Sequence, residues 1–151
     1  RRRCRPLVVW ARADNGKLMR VAMSLLIERY AHLDSSTPGL EAHFLWFVSA
    51  APSEVLDTLG MTDPPSVGRI VIDTSMVLSW NADLGGRMGL HAAPAGGARL
   101  LEYYAATCRL LPIGAERRLP KGVRRRDDGR FFYADDQFAR GLLEEGNGWR
   151  A

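Results

Sequence analysis

The chain has 151 residues, of which 46% are hydrophobic and 25% are charged, and this length and composition are typical of one ordinary globular domain. No apolar run is as long as a membrane span, and the basic residues 1–3 are not followed by the apolar segment of a signal peptide. We therefore expect a cytoplasmic protein with no membrane partner.

The formal net charge is +4, and positive charge is concentrated in residues 1–5 and 117–126. Basic clusters attract the phosphates of a nucleic acid or of a small cofactor, or they form an ordinary solvated surface. No recognised nucleic-acid motif accompanies them, so a nucleic-acid partner is not favoured. The two cysteines, Cys4 and Cys108, have no metal-ligand spacing, and we interpret them as reduced thiols.

The N-terminal third predicts one strand and one helix. Residues 6–10 form a short apolar run that suits a buried strand, and residues 14–16 predict a turn. Over residues 17–33, apolar side chains recur at the spacing of an amphipathic helix, and they are Leu18, Val21, Ala22, Leu25 and Leu26. We therefore predict a helix over 17–33, which the polar and Pro-Gly residues 35–39 end.

The rest of the chain alternates strands and helices. Residues 43–48 are aromatic and branched, which predicts a central strand. The later predicted elements are a short helix from Pro52 that Gly60 ends, a helix over 67–80, a strand over 87–92, a helix over 98–108, a strand over 110–113, a loop over 114–128, a strand over 130–133, and a last helix capped by Asp135 or Asp136. This order predicts a single α/β domain over residues 1–151, with helices flanking a mixed sheet.

The start of the helix over 67–80 carries the strongest indication of a binding site. The first amides of a helix have no partner within it and lie at the positive end of its dipole. Ser66 is placed as the N-cap, Gly68 lets a phosphate approach the backbone, and Arg69 offers a charged contact. This segment predicts a pyrophosphate site, and the alternative is a capped core helix without a ligand.

The order of these segments resembles that of the GCN5-related N-acetyltransferase (GNAT) family. That family has a strand, a phosphate loop of the form Gln/Arg-x-x-Gly-x-Gly/Ala, a helix, a second strand, and a helix with an aromatic-Tyr pair. Here residues 67–71 resemble the end of the loop and the start of the helix, and residues 86–92 resemble the second strand. The pair Tyr103-Tyr104 resembles the aromatic-Tyr pair. The resemblance covers residues 43–113.

The sequence also departs from the family pattern. Asp63 stands where the phosphate loop has Gln or Arg, and Ser66 stands where it has its first Gly. Cys108-Arg109 replaces the usual Gly-aromatic pair, and the N-terminal third has one predicted helix where the family usually has two. These departures keep a second interpretation open, a non-catalytic binding module on the same scaffold. The third interpretation is a basic nucleic-acid-binding protein.

The resemblance implies an N-acetyltransferase that uses acetyl-CoA, or another short acyl-CoA, with an amine-bearing acceptor of unknown class. It implies that Tyr104 protonates the departing thiolate, although both tyrosines could equally be packing residues. The implied cofactor-binding residues are Phe47, Val48 and Ser49 through their backbone, and Ser66, Val67, Gly68, Arg69 and Ile70 around the pyrophosphate. A homodimer stays open.

No general base stands out in the sequence. The candidates are Glu41, His43, Asp73 and His91, with a water relay as the alternative. A Cys108–His91 nucleophile pair is a further, weaker possibility that no local signature supports.

Overall fold

The structure, a computed structural model, describes residues 3–34, 39–60, 67–113 and 128–146. Its strands are β1 (Cys4–Arg12), β2 (Leu18–Ala31), β3 (Glu41–Ala50), β4 (Met88–His91), β5 (Leu111–Pro112) and β6 (Phe131–Ala134). Its helices are α1 (Ser53–Thr58), α2 (Val67–Asn81), α3 (Gly97–Glu102) and α4 (Asp136–Gly146), with a 3₁₀ turn at Pro94–Gly96 and a π-helical segment at Tyr103–Thr107 that continues α3.

The six strands form one mixed sheet in the order β1-β2-β3-β4-β6-β5. Neighbouring strands are antiparallel except for β3 and β4, which run parallel. The prediction of a mixed sheet flanked by helices is therefore confirmed, and β3 occupies the interior position expected for residues 43–48.

The predicted helix over 17–33 is wrong, because these residues form the long strand β2. Ala22, Ser24 and Leu26 alternate along one face of β2, and Met23, Leu25 and Ile27 lie on the other face. Since both faces of this strand carry apolar residues, its pattern also satisfies the helical spacing. Pairing with β1 on one side and β3 on the other decides in favour of the strand.

A tight hairpin joins β1 to β2 and confirms the turn predicted at residues 14–16. The Ala13 amide donates to the Lys17 carbonyl at 2.9 Å, and the Gly16 amide donates to the Ala13 carbonyl at 2.8 Å. Gly16 has φ +80°, a left-handed conformation that glycine adopts without strain. An Asn-Gly pair between two apolar runs is a strong hairpin signal, and here it explains why a strand follows the turn.

The other predicted elements are present with small shifts of their ends. The helix predicted over 98–108 begins at Gly97 and changes to π-helical geometry at Tyr103. Asp135 caps α4, since its Oδ1 accepts from the Phe138 amide at 2.7 Å. Residues 114–127, which hold most of the predicted basic loop, lie outside the described residues, as does Ser66.

The sheet separates two apolar clusters. The helix-side core packs α2, α3 and α4 against one face, and its members include Val71, Ile72, Met76, Met88, Leu90, Tyr104, Cys108 and Phe132. The opposite-face cluster consists of Tyr30, Leu33, Phe44, Ile113, Phe131 and Tyr133. None of the helices in the described ranges is long and apolar enough to cross a membrane.

Candidate functional site

The parallel strands β3 and β4 separate beyond Leu45. Their register runs from His43 with Met88 to Leu45 with Leu90, β4 ends at His91, and β3 continues to Ala50. In the described part of the chain, no strand therefore pairs with β3 on its β4 side after this point. The result is a gap in the sheet, which we call the β3–β4 splay.

A β-bulge in β3 marks the start of the splay. Leu25 of β2 pairs with Phe47 and Leu26 pairs with Leu45, so Trp46 is the extra residue. The predicted residues Phe47, Val48 and Ser49 follow directly, and the Phe47 side chain is half exposed. Backbone groups of such an open strand edge can hydrogen-bond to amide groups of an extended ligand.

The first turn of α2 lies at the same end of the sheet as the splay. The helix connects two parallel strands and so runs antiparallel to both. Its C-terminal half reaches the beginnings of those strands: the Ser75 carbonyl lies 3.4 Å from His43 Nδ1, and Ser79 Oγ donates to the Arg87 carbonyl at 2.7 Å. The first turn of α2, which begins at Val67, therefore lies at the carboxyl ends of β3 and β4. A phosphate site there would be next to the splay.

Gly68 is in close contact with α3. A Cβ atom at this position would lie 2.8 Å from Tyr103 Oη, so a larger residue would displace that hydroxyl. The Tyr103 hydroxyl in turn hydrogen-bonds to the Cys108 thiol. The absence of a side chain at residue 68 thus has a structural reason that the sequence interpretation, based on phosphate access, did not include.

Arg69 joins α2 to the π-helical segment. Its Nε donates to Asp73 Oδ1 at 2.7 Å, and a terminal nitrogen donates to the Thr107 carbonyl at 2.8 Å. Burial raises the pKa of the Asp73 carboxyl, and Arg69 opposes that rise. The guanidinium predicted to contact phosphate therefore already has protein partners. Val67 is buried, and Ile70 is half-buried.

Tyr104 belongs to the helix-side core and is 8% exposed. Its ring packs against Phe132 and Tyr103, with centroid separations of 5.6 and 5.5 Å. Burial raises the pKa of the Tyr104 phenol, and the nearby Cys108 raises it further. A phenol in this environment stays protonated at neutral pH and can act as a proton donor.

The candidate bases divide between the two ends of the sheet. Glu41 and His43 lie at the beginning of β3, away from the splay. Glu41 pairs with Arg29 at 2.8 Å, and burial lowers the pKa of His43. His91, by contrast, is the last residue of β4 and lies beside the splay.

A hydrogen bond between His91 and Asp128 was not foreseen from the sequence. Asp128 Oδ2 lies 2.8 Å and Oδ1 3.1 Å from His91 Nε2. The pairing depends on the antiparallel register of β4 with β6, in which His91 faces Phe131, and no local motif encodes that register. An Asp just before a predicted strand was the available signal.

A Cys108–His91 nucleophile pair has no support in the geometry. Cys108 is buried in the helix-side core, whereas His91 packs on Phe131 of the opposite-face cluster. Burial also raises the pKa of the Cys108 thiol, which disfavours the thiolate. The described residues contain no group of side chains suited to hold a metal ion.

No protein-family model matches the chain, and no curated protein matches it in sequence. A solved KacTA–DNA complex is similar in fold, with a TM-score of 0.61 and 8% identity over 94% of this chain and 74% of the other. A second similar structure is that of a tyrosine-to-phenylalanine mutant of the AtaT toxin, bound to the C-terminus of the antitoxin AtaR and to acetyl-CoA. Its TM-score is 0.51, with 9% identity over 87% of this chain and 69% of the other. Both have the GNAT fold, and the chain therefore has a divergent form of that fold.

Proposed function

We propose that the protein is an N-acyltransferase that transfers an acetyl group, or another short acyl group, from coenzyme A to an amine. The observation that carries this proposal is the position of three features at one end of the sheet: the β3–β4 splay, the first turn of α2 and the π-helical segment that contains Tyr104 and contacts that turn. A similar fold holds acetyl-CoA in the AtaT structure.

The residues around the splay fit an extended donor with amide groups. The open β3 edge from Phe47 to Ser49 offers backbone donors and acceptors to the pantetheine arm. The amides at the start of α2, from Val67 to Ile70, offer positions for the pyrophosphate, and Ser66 precedes them in the sequence.

A buried hydroxyl on β2, the strand on the other side of β3 from this edge, supports the same proposal. The Ser24 Oγ atom is buried and has no hydrogen-bond partner in the described residues, and Ser24 lies opposite Val48 of β3. An unpaired buried hydroxyl is costly, and a polar ligand atom at the splay would relieve that cost.

In the proposed reaction the amine nitrogen bonds to the acyl carbon, and the carbon–sulfur bond breaks. The sulfur keeps the electron pair and takes the proton of the Tyr104 hydroxyl. The amine nitrogen gives up one proton to solvent, and solvent returns a proton to the Tyr104 phenolate. Because burial raises the pKa of Tyr104, the phenol remains protonated until the sulfur leaves.

The first experiment measures the melting temperature against acetyl-CoA concentration. Binding to the folded state should raise it progressively, as mass action requires. Adenosine 3′,5′-diphosphate lacks the pantetheine arm and should give a smaller shift. A flat response up to millimolar acetyl-CoA would instead favour a binding module that takes no acyl-CoA.

The Ser24→Ala variant is the matched control for the site. It removes an unpaired buried hydroxyl, so the melting temperature of the free protein should stay the same or rise. The acetyl-CoA dissociation constant should rise about 3–10-fold, equivalent to the ~1 kcal/mol of one hydrogen bond. Unchanged affinity would show that the donor does not contact Ser24.

The acceptor class is open to a direct screen. Acetyl-CoA labelled in the acetyl group is incubated with small amines, peptides and protein lysines, and acetylated products are identified by mass spectrometry. The screen also separates an enzyme from a non-catalytic module that binds acetyl-CoA, because only the enzyme releases labelled product.

The nucleic-acid alternative and the oligomeric state need separate measurements. The net charge of +4 favours contact with phosphates, and binding of DNA or RNA through such contacts should weaken steeply with salt. Sedimentation in the absence of nucleic acid tests whether the protein is a homodimer, and mixed samples test whether another macromolecule joins the protein.

A further inference from the structure

The carboxyl end of β4 is bound to the segment that precedes β6. His91 Nε2 lies 2.8 Å from Asp128 Oδ2, and the Ala92 amide donates to the Arg130 carbonyl at 2.8 Å. The Arg130 guanidinium adds two bonds, because its Nε donates to the Ala92 carbonyl at 2.9 Å and its Nη2 donates to the Ala93 carbonyl at 2.7 Å. These three residues after Leu90 therefore have partners on the β6 side of β4, away from β3.

Strand β3 is the competing partner for the end of β4. It continues to Ala50, whereas its pairing with β4 stops at Leu45 and Leu90. The Trp46 bulge interrupts the β3 edge, but from Val48 onward the pairing of β3 with β2 is again in regular register. An extended strand edge of this kind pairs readily with a neighbouring segment of chain. A contact that holds the end of β4 toward β6 therefore favours the open splay.

We propose that Arg130 keeps the β3–β4 splay open and is thereby a positioning residue for the acyl-CoA donor. This inference rests on the proposed acyl transfer, and it concerns the shape of the donor site. The pantetheine arm of the donor lies in the gap between β3 and the end of β4. If residues 92–93 leave Arg130 and pair with β3, they occupy the backbone groups that the arm needs.

The form of this contact suits an arginine. A guanidinium carries its N–H groups in one rigid plane, so Arg130 can donate to two successive carbonyls from two different nitrogen atoms. A lysine ammonium is a single point on a flexible chain and cannot reproduce this pair of bonds. The Arg130 side chain is also half-buried, and hydrogen bonds from a charged donor are strong where water has limited access.

The same guanidinium reaches the start of α3. Its Nη2 atom lies 3.4 Å from the Gly97 carbonyl, and residues 93–97, which connect β4 to α3, are exposed. Arg130 therefore contacts both ends of this connection. The β4 side of the splay is shaped by the connection as a whole, and the loss of Arg130 should release all of it.

Arg87 provides a matched control at the opposite end of β4. Its Nε donates to the Glu41 carbonyl at 3.1 Å, so it also joins the β4 region to a neighbouring backbone through a guanidinium. It lies just before β4 and beside the start of β3, away from the splay. Arg87→Met and Arg130→Met remove the same charge and the same donors, and both should lower the melting temperature. A difference between them in ligand binding then reports on the splay.

The first test measures binding of two ligands by calorimetry. In Arg130→Met the acetyl-CoA dissociation constant should rise about 10-fold, because only a fraction of the molecules has the open splay. Adenosine 3′,5′-diphosphate, which lacks the pantetheine arm, should bind as it does to the wild type. Arg87→Met should bind both ligands normally. Equal weakening of both ligands in Arg130→Met, or no weakening of either, would overturn the proposal.

Arg130→Lys is the second variant for the same measurement. It keeps the positive charge and most of the aliphatic side chain, and it removes the paired bonds to successive carbonyls. Its acetyl-CoA affinity should fall in the same way, although by less, and its affinity for adenosine 3′,5′-diphosphate should be unchanged. Full acetyl-CoA affinity in Arg130→Lys would show that the charge of residue 130, and not its geometry, supports the donor.

The splay can also be observed without a ligand. The Ala51 amide donates to the Val21 carbonyl of β2 at 2.8 Å. Since successive residues of a strand point their amides to opposite sides, the Val48 amide faces the splay. Its hydrogen exchange therefore reports whether another segment pairs with the β3 edge.

The second test measures this exchange by NMR in the free proteins. In Arg130→Met the Val48 amide should exchange more slowly than in the wild type, because residues 92–93 can pair with β3. The Ala92 amide, which loses its partner on the β6 side, should exchange faster. Neither change is expected in Arg87→Met. A Val48 amide that exchanges as fast in Arg130→Met as in the wild type would show that Arg130 does not keep the splay open.

The two levels of the hypothesis fail in different ways. If wild-type protein neither binds acetyl-CoA nor shows a thermal shift with it, the proposed function is wrong, and the role of Arg130 in donor binding is rejected with it. If wild-type protein and Arg130→Met bind acetyl-CoA equally well, donor binding stands and another contact keeps the splay open.

Discussion

Tyr103 and Tyr104 are adjacent in the chain and have different environments. The Tyr103 hydroxyl lies over Gly68 and bonds to the Cys108 thiol, so it joins α3 to the start of α2. Tyr104 is buried among apolar side chains, and its pKa is raised by that burial. The first hydroxyl has a structural contact, and the second is the proposed proton donor.

Substitution of each tyrosine by phenylalanine should separate these roles. Tyr104→Phe should lower turnover by about 10²–10⁴-fold with little change in acetyl-CoA affinity. Tyr103→Phe should cost on the order of 1 kcal/mol in the free energy of unfolding and retain turnover. Kinetics and urea denaturation measure both quantities. Similar, small kinetic effects of the two variants would reject Tyr104 as the acid.

The contact between Gly68 and Tyr103 predicts a coupling that a double-mutant cycle can measure. Gly68→Ala alone brings a methyl group to 2.8 Å from Tyr103 Oη. The free energy of unfolding should therefore rise very little or fall. In a Tyr103→Phe background the nearest ring atom is Cζ at 3.5 Å, an ordinary contact. There Gly68→Ala should stabilise by up to ~1 kcal/mol through helix propensity. Additive effects in urea denaturation would show that the two residues do not touch.

The sequence suggested candidate site residues but not how their side chains are paired. Val67, Gly68 and Tyr104 could be singled out because a helix start and an aromatic-Tyr pair are local patterns. The bonds of Arg69 to Thr107 and of His91 to Asp128 join segments that are distant in the chain. Such pairings depend on sheet register and helix packing, which one sequence without homologues does not reveal.

At the scale of elements, β2 shows how local periodicity can mislead. Leu18, Val21, Ala22 and Leu25 satisfy helical spacing, yet this segment is covered by strands on both edges and is apolar on both faces. A strand with this pattern cannot be separated from a helix by periodicity alone. The hairpin turn before it was the deciding local signal, whereas α2 was predicted with nearly correct ends.

Two glycines on different elements should respond to alanine in opposite directions. Neither has an atom within 4 Å of an added Cβ, so steric contact does not enter. Gly16 in the hairpin has φ +80°, and Gly16→Ala should destabilise by about 1 kcal/mol through backbone strain. Gly141 lies within α4, and Gly141→Ala should stabilise by roughly 0.5–1 kcal/mol. Thermal denaturation shows whether each variant is more or less stable than the wild type. Stability changes in the same direction would contradict the assigned backbone conformations.

At the scale of the whole molecule, two buried histidines link stability to pH. His32 and His43 are nearly inaccessible, and burial lowers the pKa of both, although a backbone carbonyl beside each ring opposes this in part. Both rings are therefore neutral in the folded protein at neutral pH. In the unfolded chain they take up protons near pH 6.5.

The free energy of unfolding should consequently fall as pH is lowered from 6.5 toward 5. The unfolded state binds more protons in this window, and each histidine contributes up to about 1.4 kcal/mol per pH unit. Asp73 acts in the opposite sense, because burial raises its pKa and its protonation favours the folded state. Urea denaturation across this range measures the slope, which should be smaller in His43→Gln. A slope that His43→Gln leaves unchanged would show that this ring does not titrate differently in the two states.

The order of the strands also determines how the molecule should fold. β1, β2 and β3 are consecutive in the chain and adjacent in the sheet, so their pairing closes short loops. Pairing of the parallel strands β3 and β4 closes a longer loop, because the chain segment that contains α1 and α2 connects them. We expect the three N-terminal strands to be structured in the folding transition state and the β3–β4 pair to form after it. Substitutions on the β4 side of the splay should then alter the unfolding rate and leave the folding rate unchanged, so new acceptor specificities could arise there without slowing folding.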